Sequence, residues 1–220
     1  MVYIISDIHG RKDRFDDVLN QINLTKNDTL YILGDVIDRN PDGITLIKYI
    51  MSKPNIKMLL GNHEYMMLNA LKNEDDIPLW YRNGGWITHK CWKKQLISTR
   101  EKILEFLNSL PITATLEING IKYRLVHGKI PKAERLADMT YEERKETFVW
   151  ERVRPGETGP EDSVLIFGHT PTIHYQDCTL MQIWYKDNLI GIDCGAAYHE
   201  GRLACLRLDD LKEFYSRFWG

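Results

Sequence analysis

Val2-Tyr3-Ile4-Ile5-Ser6-Asp7-Ile8-His9-Gly10 opens the chain with an apolar run that breaks at once into polar, ligand-bearing residues. Thr29-Leu30-Tyr31-Ile32-Leu33-Gly34-Asp35-Val36-Ile37-Asp38-Arg39 repeats the arrangement, and Ile56-Lys57-Met58-Leu59-Leu60-Gly61-Asn62-His63-Glu64 repeats it again. A short apolar run bounded by turn residues reads as a buried strand. Between the first two runs, Phe15, Val18, Leu19 and Ile22 fall at helical spacing. Between the second and third, Asn40-Pro41 reads as an N-cap followed by proline in the first helical turn, Ile44, Ile47 and Met51 share a face, and Pro54 lies just beyond. The alternation strand, helix, strand, helix, strand predicts parallel strands joined by right-handed crossovers.

Further along, residues 72–110 read as a mainly helical cap packed on the sheet. Ser98 with Glu101 fits a capping box, and Ile103, Leu107 and Leu110 follow on one face. Asn83-Gly84-Gly85 marks a turn, Trp80, Trp86 and Trp92 supply cap packing, and Lys90, Lys93 and Lys94 form a solvated face. Apolar runs at 112–118 and 121–126 flank Asn119-Gly120, a two-residue hairpin signal. Residues 130–162 are charged and loop-like, with one helix opening at Thr140 and Glu143. Strands are expected at 164–167, 180–184, 189–192, 203–208 and 213–218. No repeat, linker or low-complexity segment interrupts the chain. The expectation is one α/β domain over residues 1–220, a β-sandwich flanked by helices.

Bulk composition agrees. The chain has 220 residues, 43% hydrophobic and 27% charged, enough to bury a core. The net charge of −2 offers no global field toward nucleic acid or an anionic membrane, so neither is expected as a partner. No apolar run reaches membrane-spanning length, and the start lacks a basic leader region. Cys91, Cys178, Cys194 and Cys205 form no Cys-x-x-Cys pair and read as four reduced thiols, mostly buried, in a cytoplasmic protein.

Five motifs follow predicted strands: Asp7-Ile8-His9-Gly10, Gly34-Asp35-Val36-Ile37-Asp38-Arg39, Gly61-Asn62-His63-Glu64, His127-Gly128 and Gly168-His169-Thr170. In open α/β sheets the carboxyl ends of the strands are where ligands bind. Asp7 and His9 are two apart, so on extended backbone both would point to one face. With Asp35, Asn62, His127 and His169 they offer two carboxylates, one amide oxygen and three imidazoles. Such a mixed oxygen and nitrogen set suits Mn²⁺, Fe or Zn²⁺. Six ligands exceed the need of one catalytic ion with open positions, whereas two ions bridged by Asp35 would use them all. Two ions about 3.5–4 Å apart can hold a hydroxide at neutral pH and clamp an in-line displacement at phosphorus.

From Asp7 to about Ala197 the pattern resembles the calcineurin-like metallophosphoesterases, and within them the phosphoprotein phosphatases of the bacterial and phage type. The resemblance implies a β-sandwich around a dinuclear centre, often assayed with Mn²⁺. Asp7, His9 and Asp35 would bind the first metal, and Asp35, Asn62, His127 and His169 the second. A metal-bridging hydroxide would attack phosphorus, without a covalent phospho-enzyme. His63 would be the general acid, Asp38 would orient and charge it, and Arg39 would hold phosphoryl oxygens. Trp150-Glu151-Arg152 resembles the segment that supplies a second phosphate-binding arginine, Arg152, in preference to Arg154, which precedes Pro155. Elementary chemistry agrees. An alkoxide leaves poorly until protonated, a carboxylate-paired histidine is a suitable donor, and guanidinium groups stabilise a phosphoryl group's spread charge.

Two positions depart from the family pattern. Asn40 stands where a glycine is usual, and is expected to preserve the turn by adopting left-handed backbone. Lys129 follows His127-Gly128, where it adds charge near the site or points to solvent. Each motif alone has an ordinary alternative reading: a chance Asp-x-His, an N-cap at Asn62, a plain turn at Gly168. Their conjunction and order argue for a site. His89, His174 and His199 read as ordinary histidines, and Asp193 as either a site residue or a turn residue supporting the fold. The resemblance implies a serine/threonine protein phosphatase acting on a phosphoprotein or small phosphoester. The alternative is a symmetrical dinucleoside polyphosphate hydrolase, disfavoured because those relatives often lack a carboxylate before the arginine and often carry aspartate after the catalytic histidine, whereas here Asp38 and Glu64 are present. A catalytically inactive binding module on this scaffold ranks last, because His63 and all six ligands are retained.

Overall fold

A computed structural model gives the architecture for residues 1–177 and 180–217. The first three expected strands form: β1 (Val2–Ile5), β2 (Thr29–Ile32) and β3 (Ile56–Met58). They pair in parallel, with Ile5 opposite Ile32 and Ile32 opposite Met58. The crossovers are α1 (Lys12–Ile22) and α2 (Gly43–Met51). Helix α3 (Asn62–Lys72) starts directly at the third motif.

The cap consists of α4 (Ile77–Arg82), α5 (Gly85–Lys93) and α6 (Ile97–Ser109). Then come β4 (Thr113–Ile118) and β5 (Ile121–Val126), paired with Ile118 opposite Ile121 across Asn119 (φ 52°) and Gly120 (φ 77°). Two left-handed residues are what a two-residue hairpin turn of this kind requires. Two helices occupy the charged segment, α7 (Ala133–Ala137) and α8 (Tyr141–Trp150), the second carrying the expected capping box of Thr140 and Glu143. The chain closes with β6 (Val164–Phe167), β7 (Trp184–Lys186), β8 (Leu189–Gly191), β9 (Ala204–Arg207) and β10 (Lys212–Tyr215).

Among the described residues the strands make two mixed five-stranded sheets, ordered β10-β9-β1-β2-β3 and β4-β5-β6-β8-β7. Side-chain alternation sorts each strand between two cores. On β1, Tyr3 and Ile5 face helices α1 and α2, while Ile4 points the other way and packs with Leu125, Ile166, Ile190 and Leu206 between the sheets. On β6, Ile166 joins that central core, while Leu165 and Phe167 face Phe148 on α8. The expected β-sandwich flanked by helices is therefore present, with the cap over residues 72–110.

Several local expectations need correction. Asn40 does not cap α2, which starts at Gly43; its side-chain amide instead donates to the His9 carbonyl at 2.9 Å. Ser98 and Glu101 make no capping box, because α6 begins two residues earlier than such a box requires, with Leu96 at the cap position and no side-chain cap bond. Met181 and Ile183 pack into the central core without joining a strand; β7 begins only at Trp184. Trp80 and Trp92 are buried, but Trp86 is 54% exposed. Cys91, Cys194 and Cys205 are free thiols; Cys178 and Phe218 lie outside the described residues. Among the described residues no helix is long and apolar enough to cross a membrane.

Candidate active site

Two parallel trios of strands, β1-β2-β3 and β5-β6-β8, supply the site. Asp7, Asp35 and Asn62 follow the first trio; His127, His169 and Asp193 follow the second. Backbone hydrogen bonds carry each sheet past its strand ends. Asp7 N–H donates to Gly34 O, His9 N–H to Asp35 O, and Gly168 N–H to His127 O. These loops are not extended. Asp7, His9, Asp35, Asp38, Arg39 and His169 all hold positive φ, between 49° and 71°. Left-handed backbone at non-glycine residues costs energy and concentrates at functional sites. Asp7 and His9 thus share a site because of a left-handed turn, contrary to the extended geometry expected. Asn40 is likewise not left-handed; Asp38 and Arg39 make that turn.

The side chains converge on Asp35. His127 Nε2 lies 3.4 Å from Asp35 Oδ1, and His9 Nε2 and His63 Nε2 lie 3.7 and 3.8 Å from Asp35 Oδ2. His9 Nε2 is also 4.0 Å from Asp7 Oδ1, and Asn62 Oδ1 is 2.9 Å from His127 Nε2. His9, Asp35 and His63 form one group of converging ligand atoms, and Asp35, His127 and His169 a second. His9 Nδ1 contacts the Ile37 carbonyl at 3.1 Å and His127 Nδ1 the Leu33 carbonyl at 2.9 Å. Each Nδ1–H can thereby donate to a carbonyl, so that Nε2 of neutral His9, and Nε2 of His127 once it gives up its proton, can present a lone pair inward, the arrangement metal-binding histidines use.

Electrostatics fits cation binding. Although burial opposes ionisation, His127 and His63 hold the Asp35 carboxyl well below the usual range. Burial drives His9 well below its ordinary value, and drives His169 to about 2 with help from His127 and Arg152, so both imidazoles are neutral and able to ligate. Burial raises Asp7, and burial together with Asp7 raises Asp193 well above the carboxylate range. Crowded buried carboxylates of this kind ionise readily only beside positive charge. A donor set of carboxylates, amide and imidazoles, sharing one carboxylate between two groups, fits divalent metals.

Around this floor the structure adds residues that sequence reasoning missed or left open. Glu64 is fully buried and accepts from the backbone N–H groups of Asp35 (2.9 Å), Val36 (2.9 Å), Ile37 (3.2 Å) and Gly61 (3.2 Å). It therefore ties two ligand loops together. Gly61 leaves no room for a side chain, since a Cβ would sit 2.3 Å from Asp35 Oδ1. Ser6 donates to Asp7 Oδ2. Asp193 is buried, borders the cleft and accepts from Gly195 N–H.

His63 Nδ1 donates to Asp38 Oδ2 at 2.7 Å, and its Nε2 sits 3.3 Å from Arg39 Nη2. Burial disfavours its charge, yet Asp35 and Asp38 raise its pKa above the ordinary value. The cleft above has a volume of about 1030 Å³. Much of its wall comes from residues 129–157, so the charged segment lines the groove. Arg152 Nη1 donates to His169 O (2.9 Å) and Thr170 Oγ1 (2.8 Å), which fixes it beside the loop that carries His169; Arg154 is exposed, as Arg152 is, and both line the cleft. Lys129 faces the cleft but pairs with Glu157 at 2.7 Å. His174 and His199 are exposed and His89 is buried against Trp80 and Tyr81.

A sandwich carrying an Asp- and His-rich centre under a cleft with arginines defines a hydrolase acting on phosphoesters. The family described as calcineurin-like phosphoesterase matches residues 1–205, and the chain belongs to it. Members of this family use divalent metals. Serine/threonine-protein phosphatase 2 of Escherichia coli (strain K12) is 26% identical over 213 residues, covering 94% of this chain and 92% of that protein. The symmetrical bis(5'-nucleosyl)-tetraphosphatase of Wigglesworthia glossinidia brevipalpis is 40% identical over 83 residues, covering 34% of this chain and 30% of that protein. Among solved structures, one described as a putative diadenosine tetraphosphatase aligns with a TM-score of 0.65 at 21% identity, covering all of this chain and 94% of that one.

Proposed function

We propose that this chain is a two-metal phosphomonoesterase acting on phosphoserine or phosphothreonine in proteins, folding as one domain and working in the cytoplasm with Mn²⁺. The observation that carries the reading is the 2.7 Å Asp38–His63 pair placed against Asp35 and Arg39. Asp7, His9 and Asp35 would hold one ion, and Asp35, Asn62, His127 and His169 the other. Bound there, the ions would supply an activated water and positive charge for displacement at phosphorus. Arg39 and Arg152 hold the phosphoryl oxygens. His63 is geometrically eligible as a ligand, but Asp35 and Asp38 outweigh burial and the opposing Arg39 guanidinium and raise its pKa, which favours a protonated imidazole that cannot ligate. It donates the Nε2 proton to the leaving oxygen, and the Asp38 carboxylate stabilises the imidazolium through Nδ1.

Nearly full-length sequence similarity to a protein phosphatase supports this substrate class over the nucleotide one, where sequence identity is higher but the sequence match covers only a third of the chain. Hydrolysis of dinucleoside polyphosphates is the second reading, favoured by that segment. Turnover of a phosphoserine peptide and of diadenosine tetraphosphate, measured with Mn²⁺, Zn²⁺ or Fe²⁺, separates them. A higher kcat/KM on the peptide with Mn²⁺ is expected; a much higher value on the nucleotide reverses the assignment.

A further inference from the structure

The cap reaches into the site through one residue. Trp80 is fully buried within α4, and its indole Nε1–H donates to Asp38 Oδ2 at 2.9 Å. That same oxygen accepts the His63 Nδ1–H, while Asp38 Oδ1 is buried with no hydrogen-bond partner among the described residues. The carboxylate is therefore oriented by two donors on a single oxygen, one of them the proton donor it must serve. On its other side the cap holds the backbone: Asp38 N–H donates to Thr88 Oγ1 at 2.9 Å and Arg39 N–H to Gly84 O at 3.2 Å. The indole is itself clamped. It packs against His89 at 5.3 Å between ring centres, and a Cβ on Gly85 would sit 2.2 Å from the ring.

We propose that Trp80 is a positioning residue for leaving-group protonation, holding Asp38, and through it the His63 imidazole, in line with the scissile bond. This rests on the reading of His63 given above. Without the indole donor, Asp38 can turn Oδ2 away, and His63 then loses the partner that fixes its ring. The cost falls on substrates whose leaving oxygen needs a proton. An alkoxide from phosphoserine needs one, and the phenolate from p-nitrophenyl phosphate hardly does. A purely structural role for Trp80 would depress both substrates alike.

The experiment compares wild type, Trp80→Phe, Thr88→Val and His63→Asn, loaded with Mn²⁺, on a phosphoserine peptide and on p-nitrophenyl phosphate. Trp80→Phe keeps an aromatic ring at the position and removes the pyrrole ring with its N–H donor. Its kcat on the peptide is expected to fall about ten-fold, with KM within about two-fold and p-nitrophenyl phosphate turnover nearly unchanged. Thr88→Val, should Trp80→Phe fold poorly, is expected to show the same substrate dependence more weakly. Equal losses on the two substrates, or none on either, overturn the role of Trp80. A His63→Asn variant that keeps peptide turnover instead overturns the acid assignment beneath it. Independently of turnover, the Trp80 indole N–H resonance in the full chain is expected to be protected from solvent exchange and to move on Asp38→Asn. An unprotected or unmoved resonance contradicts the bond itself.

Discussion

Asp35 meets His9, His63 and His127 through its two oxygens, and its own backbone N–H is held by Glu64. The converging side chains were legible in the sequence because Asp, Asn and His at the ends of apolar runs have few purposes there. The support was not, because Glu64 acts through backbone contacts with residues 27 to 29 positions away in the chain. Replacing Glu64 by glutamine swaps one acceptor oxygen for an NH₂ group facing N–H donors. Such a buried mismatch should cost about 1–3 kcal/mol in chemical denaturation and weaken Mn²⁺ binding roughly 10–100-fold by calorimetry. Wild-type values in both would contradict the tie. Trp80 shows the same limit: its spacing from Trp86 and Trp92 suggested packing, and only the fold reveals Asp38 beneath its nitrogen.

At the scale of elements, the sequence predicted where strands lie better than where helices start. The apolar runs of β1, β2 and β5 are set by burial, which composition reveals directly. Helix starts depend on competition for a single polar side chain. Asn40 is taken by the His9 carbonyl, so α2 begins beyond it, and Ser98 falls inside α6 rather than before it. Where nothing competes, the signal holds: Thr140 Oγ1 accepts from Glu143 N–H while Glu143 reaches back to Thr140 N–H. Helix α8 leads into Arg152, so its cap matters for the cleft. Thr140→Ala should destabilise the protein by about 1 kcal/mol in a denaturant titration while leaving kcat within about two-fold. A large loss of kcat would mean that α8 does more than carry the wall.

For the molecule as a whole, the two sheets place six strand ends around one buried set of charges, and that set couples stability to protons and metal. In the metal-free protein, burial opposes charge on His127, yet Asp35 raises its pKa from 6.5 to about 9, while burial and Asp35 raise Glu64 from 4.5 to about 7. Both groups bind protons more tightly folded than unfolded. Their stabilisation is present below the unfolded values and is lost as pH rises through about 7 for Glu64 and about 9 for His127. The Tm of the stripped protein should therefore fall between pH 6.5 and 9. Divalent metal competes with those protons, so the gain in Tm on adding saturating Mn²⁺ should widen over the same interval. Calorimetric scans at several pH values test this, and a gap that narrows as pH rises would contradict it.

The proposed sharing of Asp35 between two ions implies that catalysis begins only when both cation positions are filled. Mn²⁺ should therefore be titrated stepwise into stripped wild type and His63→Asn, with bound metal counted and phosphoserine-peptide hydrolysis followed at each step. Wild-type activity is predicted to rise mainly with the second equivalent, and His63→Asn to bind both ions yet turn over roughly 10²–10⁴-fold more slowly. Full activity at one equivalent, or no phosphoester hydrolysis by folded protein carrying two, would contradict the account.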